Sequence, residues 1–312
     1  MASGSNAVIA CGYAVTMTQS TIGKNPPYLL LGASGAVGLR VLARLSARGD
    51  EITALSRQLR PQAQANTQWY QHNVYHDDPN ALPTAAVVIS AGPLDGMAVW
   101  AARANWREGT RLVALSSLSA ETKADSDNAQ ERALAQRLRE CEAALLALGK
   151  ARGWLVTVIR ASLIYDPQSA QLSLDQLLAL AKRMHFLPLP RDANGLRQPV
   201  HADDLAQALL ACTASDTTAD AVLRLAGGER IAFAQMVARY LAMHGATARI
   251  VWLPGWSARM LQALLPLLGR RGRSIASQLA RSRHNLVIDN GDWLQIGVAP
   301  RSFCAPKRDE SD

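Results

Sequence analysis

The stretch Tyr28–Leu45, YLLLGASGAVGLRVLARL, constrains this chain more than any other. A short apolar run comes first, then Gly32, Gly35 and Gly38, then an amphipathic helical pattern. Tyr28–Leu31 suits a buried parallel strand. Gly32 permits the tight turn out of it, Gly35 lets backbone approach a pyrophosphate, and Gly38 lets the following helix lie close to the sheet. Val37, Val41 and Leu45 recur every four residues and give that helix one buried face. Its first N–H groups and positive dipole end then point at the place a phosphate would occupy. A glycine triplet alone is weak evidence, but one bracketed by strand and helix is the context a dinucleotide site requires.

The end of the second strand bears on which dinucleotide. Glu51–Leu55 reads as that strand, and it runs into Ser56-Arg57 with Arg60 close behind. A free ribose 2′-OH is usually met here by an acid, whereas a 2′-phosphate is accommodated by arginine. Asp50 and Glu51 lie at the wrong end of the strand. The residues therefore favour NADP(H) over NAD, with a solvated loop arginine as the alternative reading of Arg57.

From Tyr28 to about Tyr165 apolar runs alternate with helical patterns, as in a parallel sheet covered on both faces. Gln68–Val74, Ala85–Ser90, Arg111–Ser116, Leu155–Ile159 and Ala221–Leu225 read as further strands. A long charged helix is expected over about 129–148. The expected fold is α/β: a Rossmann-type doubly wound parallel sheet with a smaller, interleaved C-terminal substrate lobe. Residues 28–165 with about 198–225 would form the dinucleotide-binding core, and about 166–197 with 226–312 the lobe. In the lobe, helices are expected over Ser173–Arg183, Phe233–His244 and Ser257–Leu268, and a Pro-rich loop over Leu187–Gly195. Residues 1–27 read as a disordered extension: Ala7–Met17 is mildly apolar, but no Lys or Arg precedes it as a secretory signal would need.

The formal net charge is +8 and only five of the 33 basic residues are lysines. Such a balance suits anionic ligands such as dinucleotides and nucleotide sugars, and also a membrane surface. Nothing resembles a nucleic-acid recognition motif, and no apolar run is long enough to span a bilayer. Cys11, Cys141, Cys212 and Cys304 are scattered without CxxC spacing, as expected of reduced thiols in a cytoplasmic protein. His72 and His76 lack companions that would complete a metal ligand set, so both read as structural.

Taken together, GASGAVG at Gly32–Gly38, LVALSSLSA at Leu112–Ala120, VIRASLIYDP at Val158–Pro167 and PVHADDLAQAL at Pro199–Leu209 resemble the extended short-chain dehydrogenase/reductase superfamily. The similarity is to its atypical, NAD-dependent epimerase/dehydratase-like branch, and LRLAGGERIAFAQMV at Leu223–Val237 extends it. Val287–Phe303 looks like the final strand and turn of such proteins. The resemblance implies that Ala33, Ser34, Ala36 and Val37 sit with the glycines under the pyrophosphate. It implies that Asn73 and Val74 lie near the adenine, although Asn73 stands where Asp is usual. Ser90, Ala91 and Gly92 would run beneath the nicotinamide ribose. Ser117 falls at the catalytic Ser/Thr position with Ser116 beside it, the alternative being a strand-end pair that bonds only to local backbone.

The departures matter as much. None of the six tyrosines has a lysine four residues later, and the usual Tyr and Lys positions fall on Leu134 and Leu138. Leucine cannot pass a proton to a substrate oxygen. Ala161 stands for a usual Pro and Asp166 for a usual Gly. Two functions remain open. One is an NADP(H)-dependent oxidoreductase or epimerase-like enzyme acting on a small carbonyl or nucleotide-sugar substrate with a replacement proton donor: Ser117, Lys123 or His201. The other is a non-catalytic NADP(H)-binding redox sensor or scaffold subunit. The basic run Arg270–Arg283 reads as a solvated face, with phosphate or acidic-surface contacts as the alternative.

Overall fold

The computed structural model describes residues 27–58, 66–168 and 173–303. The expected N-terminal extension (except Pro27), Arg60, Cys11 and Cys304 lie outside these residues.

Seven parallel strands form the central sheet: β1 (Tyr28–Leu31), β2 (Ile52–Ser56), β3 (Thr67–Gln71), β4 (Val87–Ser90), β5 (Arg111–Ser117), β6 (Leu155–Ala161) and, after several lobe elements, β11 (Ala221–Leu225). Their spatial order is β11-β6-β5-β4-β1-β2-β3. The order reverses between β1 and β4, and such a switch point opens a crevice at the carboxyl ends of the strands. β1, β4 and the first five residues of β5 are buried throughout, as parallel strands covered on both faces must be.

Helices α1 (Ala36–Ala47) and α6 (Ala202–Ala214) cover one face. Val41, Leu42 and Leu45 of α1 are fully buried there with Leu30, Ile89, Leu205 and Leu209. Burial of each such side chain contributes about 1.5–3 kcal/mol. Helices α2 (Leu94–Arg103) and α4 (Ala129–Arg152) cover the opposite face, around Met97, Trp100, Leu145 and Trp154. The short α3 (Ser119–Thr122) follows β5 directly. Asn128 caps α4 by accepting from Gln130 N–H, and Gly153 closes it in the left-handed conformation at φ 65°.

A separate core gathers α5 (Ser173–Met184), α7 (Phe233–Met243) and the inner side of α9 (Gly269–Arg281), around Leu177, Leu189, Met236 and Tyr240, with Leu265 joining it from the turn that follows α8 (Gly255–Leu264). Short pairings thread it to the sheet: β7 (Ile164–Tyr165) with β10 (Val200–His201), β9 (Leu196–Arg197) with β12 (Ile231–Ala232), and β8 (Phe186–Pro190) with β13 (Arg249–Leu253).

All seven sheet strands fall where the sequence pattern placed them, but strand three ends at Gln71 rather than Val74. The expected Pro-rich loop is in part β8. Pro188 and Pro190 are tolerated because β8 has a neighbour on one side only, so a missing N–H breaks no second ladder. Over 287–303 there is no strand among the described residues: a lone bridge at Leu286 precedes this range, and the short α10 (Asp292–Gln295) lies within it. Trp293 and Ile296 of that segment pack into the α1/α6 core, and Asn290 and Asp292 accept from backbone N–H groups of Ala226 and Arg224.

Candidate functional site

The glycine turn leaves β1 under tight steric control. Gly32 has φ +71°, and a Cβ there would lie 2.7 Å from Gly92 N and 2.8 Å from the Ala91 carbonyl carbon. The ends of β1 and β4 therefore meet backbone to backbone, and Ala91 N–H donates to Leu31 O. A Cβ on Gly38 would lie 2.1 Å from Gly32 O, so α1 starts almost in contact with the turn. Gly35 differs, since an added Cβ would meet only Gly32 O, at 3.3 Å. The space outside Gly35 is open, as close approach of a ligand requires. Gly35 offers no side-chain cap and the first turn of α1 holds no acid, so the N–H groups of Ala36, Val37 and Gly38 face outward unpaired within the helix. Ser34 accepts a hydrogen bond from the Ser56 hydroxyl at 3.0 Å, joining this loop to the end of β2.

Arg57 follows β2, is exposed and forms no ion pair with the described residues. Asp50 is buried at the far end of the strand and held by Arg48. Asn73 shapes the turn after β3: its side chain accepts from Tyr75 N–H and its own N–H donates to Asp77. Val74 packs against the α2 side of the core. His72 is buried and its Nε2 accepts from Trp100 Nε1 at 3.0 Å, a packing role.

Beyond the carboxyl ends of β5 and β6 lies a cleft of about 400 Å³ between the sheet and the second core, within the usual size range of small-ligand sites. Ser117, Leu118, Ser119, Thr122 and Lys123 line it from below, Ala161–Ile164 from β6, and Arg197, Phe233, Gln278 and Arg281 from the lobe. Ser117 Oγ accepts from Ser119 N–H at 3.1 Å and keeps its own proton for another acceptor. Lys123 is 16 % exposed and lies 3.6 Å from Glu131, which also binds Arg281. Burial and the neighbouring Arg281 push the Lys123 ammonium below the usual lysine range, against the pull of Glu131.

Arg197 is the cation that sequence reasoning missed. It is buried, and among the described residues its guanidinium donates to the carbonyls of Leu196, His284 and Arg281 and meets no carboxylate. Burial and Arg281 lower its pKa to about 10. Its place two residues before the PVHADDLA segment was the available signal. Within 270–283, Arg281 departs from the expected solvated face, since it reaches the cleft and Glu131. Every charged residue that lines the cleft is cationic.

Other expected site residues have different partners. Ser116 points away from the cleft and donates to Glu142, which is 2 % exposed and also binds Arg160. Arg160 in turn reaches Glu121 at 2.6 Å. Leu138 packs with the α2/α4 core, and neither it nor Leu134 is among the residues lining the cleft. Asp166 is buried and binds Arg40 of α1 at 3.0 Å, which fastens the glycine helix to the segment after β7. His201 does not reach the cleft. Its Nδ1 caps α6 by accepting from Asp203 N–H, and burial lowers its pKa. His201, Asp203 and Asp204 lie together, but both carboxylates already serve arginines: Asp203 binds Arg44 and Arg301, and Asp204 binds Arg301.

The arrangement of glycine turn, open helix start and cleft at the switch point belongs to a doubly wound, Rossmann-type α/β fold. Solved structures narrow the likeness. The chain is similar to MoeE5 in complex with UDP-glucose and NAD, with a TM-score of 0.64 and 15 % identity over 88 % of this chain and 94 % of that one. It is similar to UDP-glucose 4-epimerase of Thermotoga maritima with UDP-glucose, at TM-score 0.63 and 15 % identity over 88 % and 93 %. The epimerase Mth375 of Methanothermobacter thermautotrophicus gives 0.65 and 12 % over 89 % and 88 %. The fold is thus the one the resemblance to epimerase/dehydratase-like proteins implied. No protein-family model matches the chain, and no curated protein matches it.

Proposed function

We propose that the protein binds NADP(H) and acts as an oxidoreductase or epimerase on an anionic carbonyl or nucleotide-sugar substrate, with Lys123 and Ser117 in place of the usual Tyr-Lys pair. One observation carries the reading: Lys123 is largely buried in the same cleft as Ser117, beside a carboxylate and among cations. The glycine turn fits a dinucleotide, since each Cβ at Gly32 or Gly38 would strike backbone and the approach at Gly35 is open. The neighbouring MoeE5 structure holds NAD. The preference for the phosphorylated form rests on Arg57 and on the absence of an acid at the end of β2.

When bound, the dinucleotide supplies hydride chemistry. The chain supplies the rest. Arg197 and Arg281 hold an anionic group of the substrate at the lobe side of the cleft. The Ser117 hydroxyl donates to the substrate oxygen and orients it. Lys123 gives that oxygen a proton as it becomes a hydroxyl, or accepts one in the reverse direction. Its lowered pKa makes the ammonium a better acid than a free lysine, and Glu131 steadies the charge while it waits. Acid–base assistance of this kind is worth about 10²–10⁴ in rate.

The test is NADPH oxidation across a panel of carbonyls and nucleotide sugars, with Lys123→Met and Ser117→Ala variants that keep NADPH affinity. Turnover should fall by about 10²-fold or more in each. It should also fall as pH rises through the lowered Lys123 pKa, at a pH below the ordinary lysine value of about 10.4. Undiminished turnover in the double variant refutes the assigned donors. The second reading, a non-catalytic binder, is favoured by Leu134 and Leu138 in α4, and tight NADPH binding without turnover of any substrate would select it.

A further inference from the structure

From residue 230 to residue 288 the chain contains nine arginines and not one Lys, Asp or Glu. The whole chain has 33 basic and 25 acidic residues, so this segment accounts for the entire net charge and leaves the remainder within one charge of neutral. Arg239, Arg281 and Arg283 are paired with Glu229, Glu131 and Asp192. Arg249 is exposed on β13, and Arg259, Arg270, Arg271 and Arg273 fall within α8 and α9.

The same stretch shows several strongly exposed apolar side chains. Trp256, Met260 and Leu264 recur every four residues along α8 and are 69 %, 59 % and 51 % exposed, while Leu265 turns inward. Leu267 in the following turn is 80 % exposed. Val251 and Trp252 on β13, shortly before α8 in the chain, are also exposed. Met184 and Phe186 are also exposed, next to the exposed Lys182 and Arg183 that end α5. A stripe of tryptophan, methionine and leucine on one helix face, set in a segment rich in arginine and free of acid, has the composition of an interfacial helix.

We propose that this outer face, α8 with the turn after it and β13, seats the protein on an anionic lipid bilayer surface. Tryptophan side chains favour the headgroup level, the aliphatic ones enter the acyl boundary, the exposed Arg249 meets lipid phosphates, and the positive charge of the segment as a whole draws it to an anionic surface. The absence of acids from the segment is what favours lipid over a second copy of this chain, because two such faces would repel. No described helix is long and apolar enough to cross a membrane, so the attachment lies in the plane of the interface.

The test is flotation of the full chain with vesicles of phosphatidylcholine alone and of phosphatidylcholine with phosphatidylglycerol. The protein should float with the anionic vesicles, leave them in high salt, and stay behind with the neutral ones. A Trp256→Glu, Met260→Glu double variant should bind at least about tenfold more weakly, with melting temperature and NADPH affinity unchanged because both side chains are exposed and distant in sequence from the cleft residues. Absence from the anionic vesicles, or undiminished flotation of the double variant, overturns the proposal. So does a concentration-dependent dimer that the double variant abolishes while vesicles bind neither protein.

Discussion

Replacing Gly38 with alanine tests the geometry on which the proposed dinucleotide binding depends. The added Cβ would stand 2.1 Å from Gly32 O and 2.8 Å from Gly32 C, and ordinary contact begins near 3.4 Å. Both contacts are backbone, so no side chain can swing aside, and α1 must retreat from the turn by about 1 Å. That retreat drags Val37, Val41, Leu42 and Leu45 out of register with the sheet-facing core. Overpacking of this sort costs about 1–3 kcal/mol, a few degrees in Tm for a chain of this size. The same movement shifts the outward N–H groups of Ala36 and Val37. NADPH Kd should therefore rise by about tenfold or more, the worth of roughly one charge-assisted hydrogen bond. Gly35→Val is the matched control. Its Cβ meets a single backbone oxygen at 3.3 Å, so the apoprotein should melt within a few degrees of the parent while NADPH binding is lost to obstruction. The assay is thermal melting with and without saturating NADPH, which raises the Tm of any variant that still binds. A Gly38→Ala protein that melts and binds like the parent would refute the close packing of helix on turn. A Gly35→Val protein that binds normally would mean that the phosphates lie elsewhere.

Arg57→Ala should weaken NADPH binding by about 1–3 kcal/mol and leave NADH nearly unchanged; equal losses in calorimetry would remove Arg57 from cofactor choice. Glu142→Leu strands the largely buried Arg160 with Glu121 as its only acidic partner. It should cost about 3 kcal/mol in urea unfolding, with part of the loss recovered when Arg160→Met is added. A Glu142→Leu protein as stable as the parent would show that the Ser116–Glu142–Arg160 network contributes little. His201 caps α6 only while its Nδ1 is unprotonated, and burial lowers its pKa from the usual 6.5. Between that lowered pKa and about 6.5 the unfolded chain binds the extra proton, so stability should be complete above about 6.5 and fall as pH drops through the folded pKa. His201→Asn, which caps without titrating in this range, should flatten that part of the pH–stability curve; an unchanged slope would assign it to other groups.

The sheet was legible in the sequence because parallel strands announce themselves. Runs such as Leu29–Leu31 and Val87–Ile89 must be apolar on both faces, and the glycines must punctuate the first crossover. Elements with fewer neighbours were harder to see. β8 escaped because its two prolines speak against a strand, and only a one-sided pairing with β13 makes them tolerable. The final strand expected over 287–303 gives way to a turn and short helix in which Trp293 is buried in the sheet-facing core and donates to Ala226 O.

By itself the sequence determined the cradle, since spacing of glycines between a strand and a helix is local information, and it determined that the usual Tyr-Lys pair is absent. Tertiary structure alone decided the electrostatics. It buried Arg197 against backbone carbonyls, brought Arg281 from the far end of the chain beside Lys123 and Glu131, and turned the neighbouring hydroxyls of Ser116 and Ser117 to opposite sides of the sheet. A residue's charge can be read from the sequence, but its partners and its access to water depend on segments that meet only when the lobe closes over the sheet.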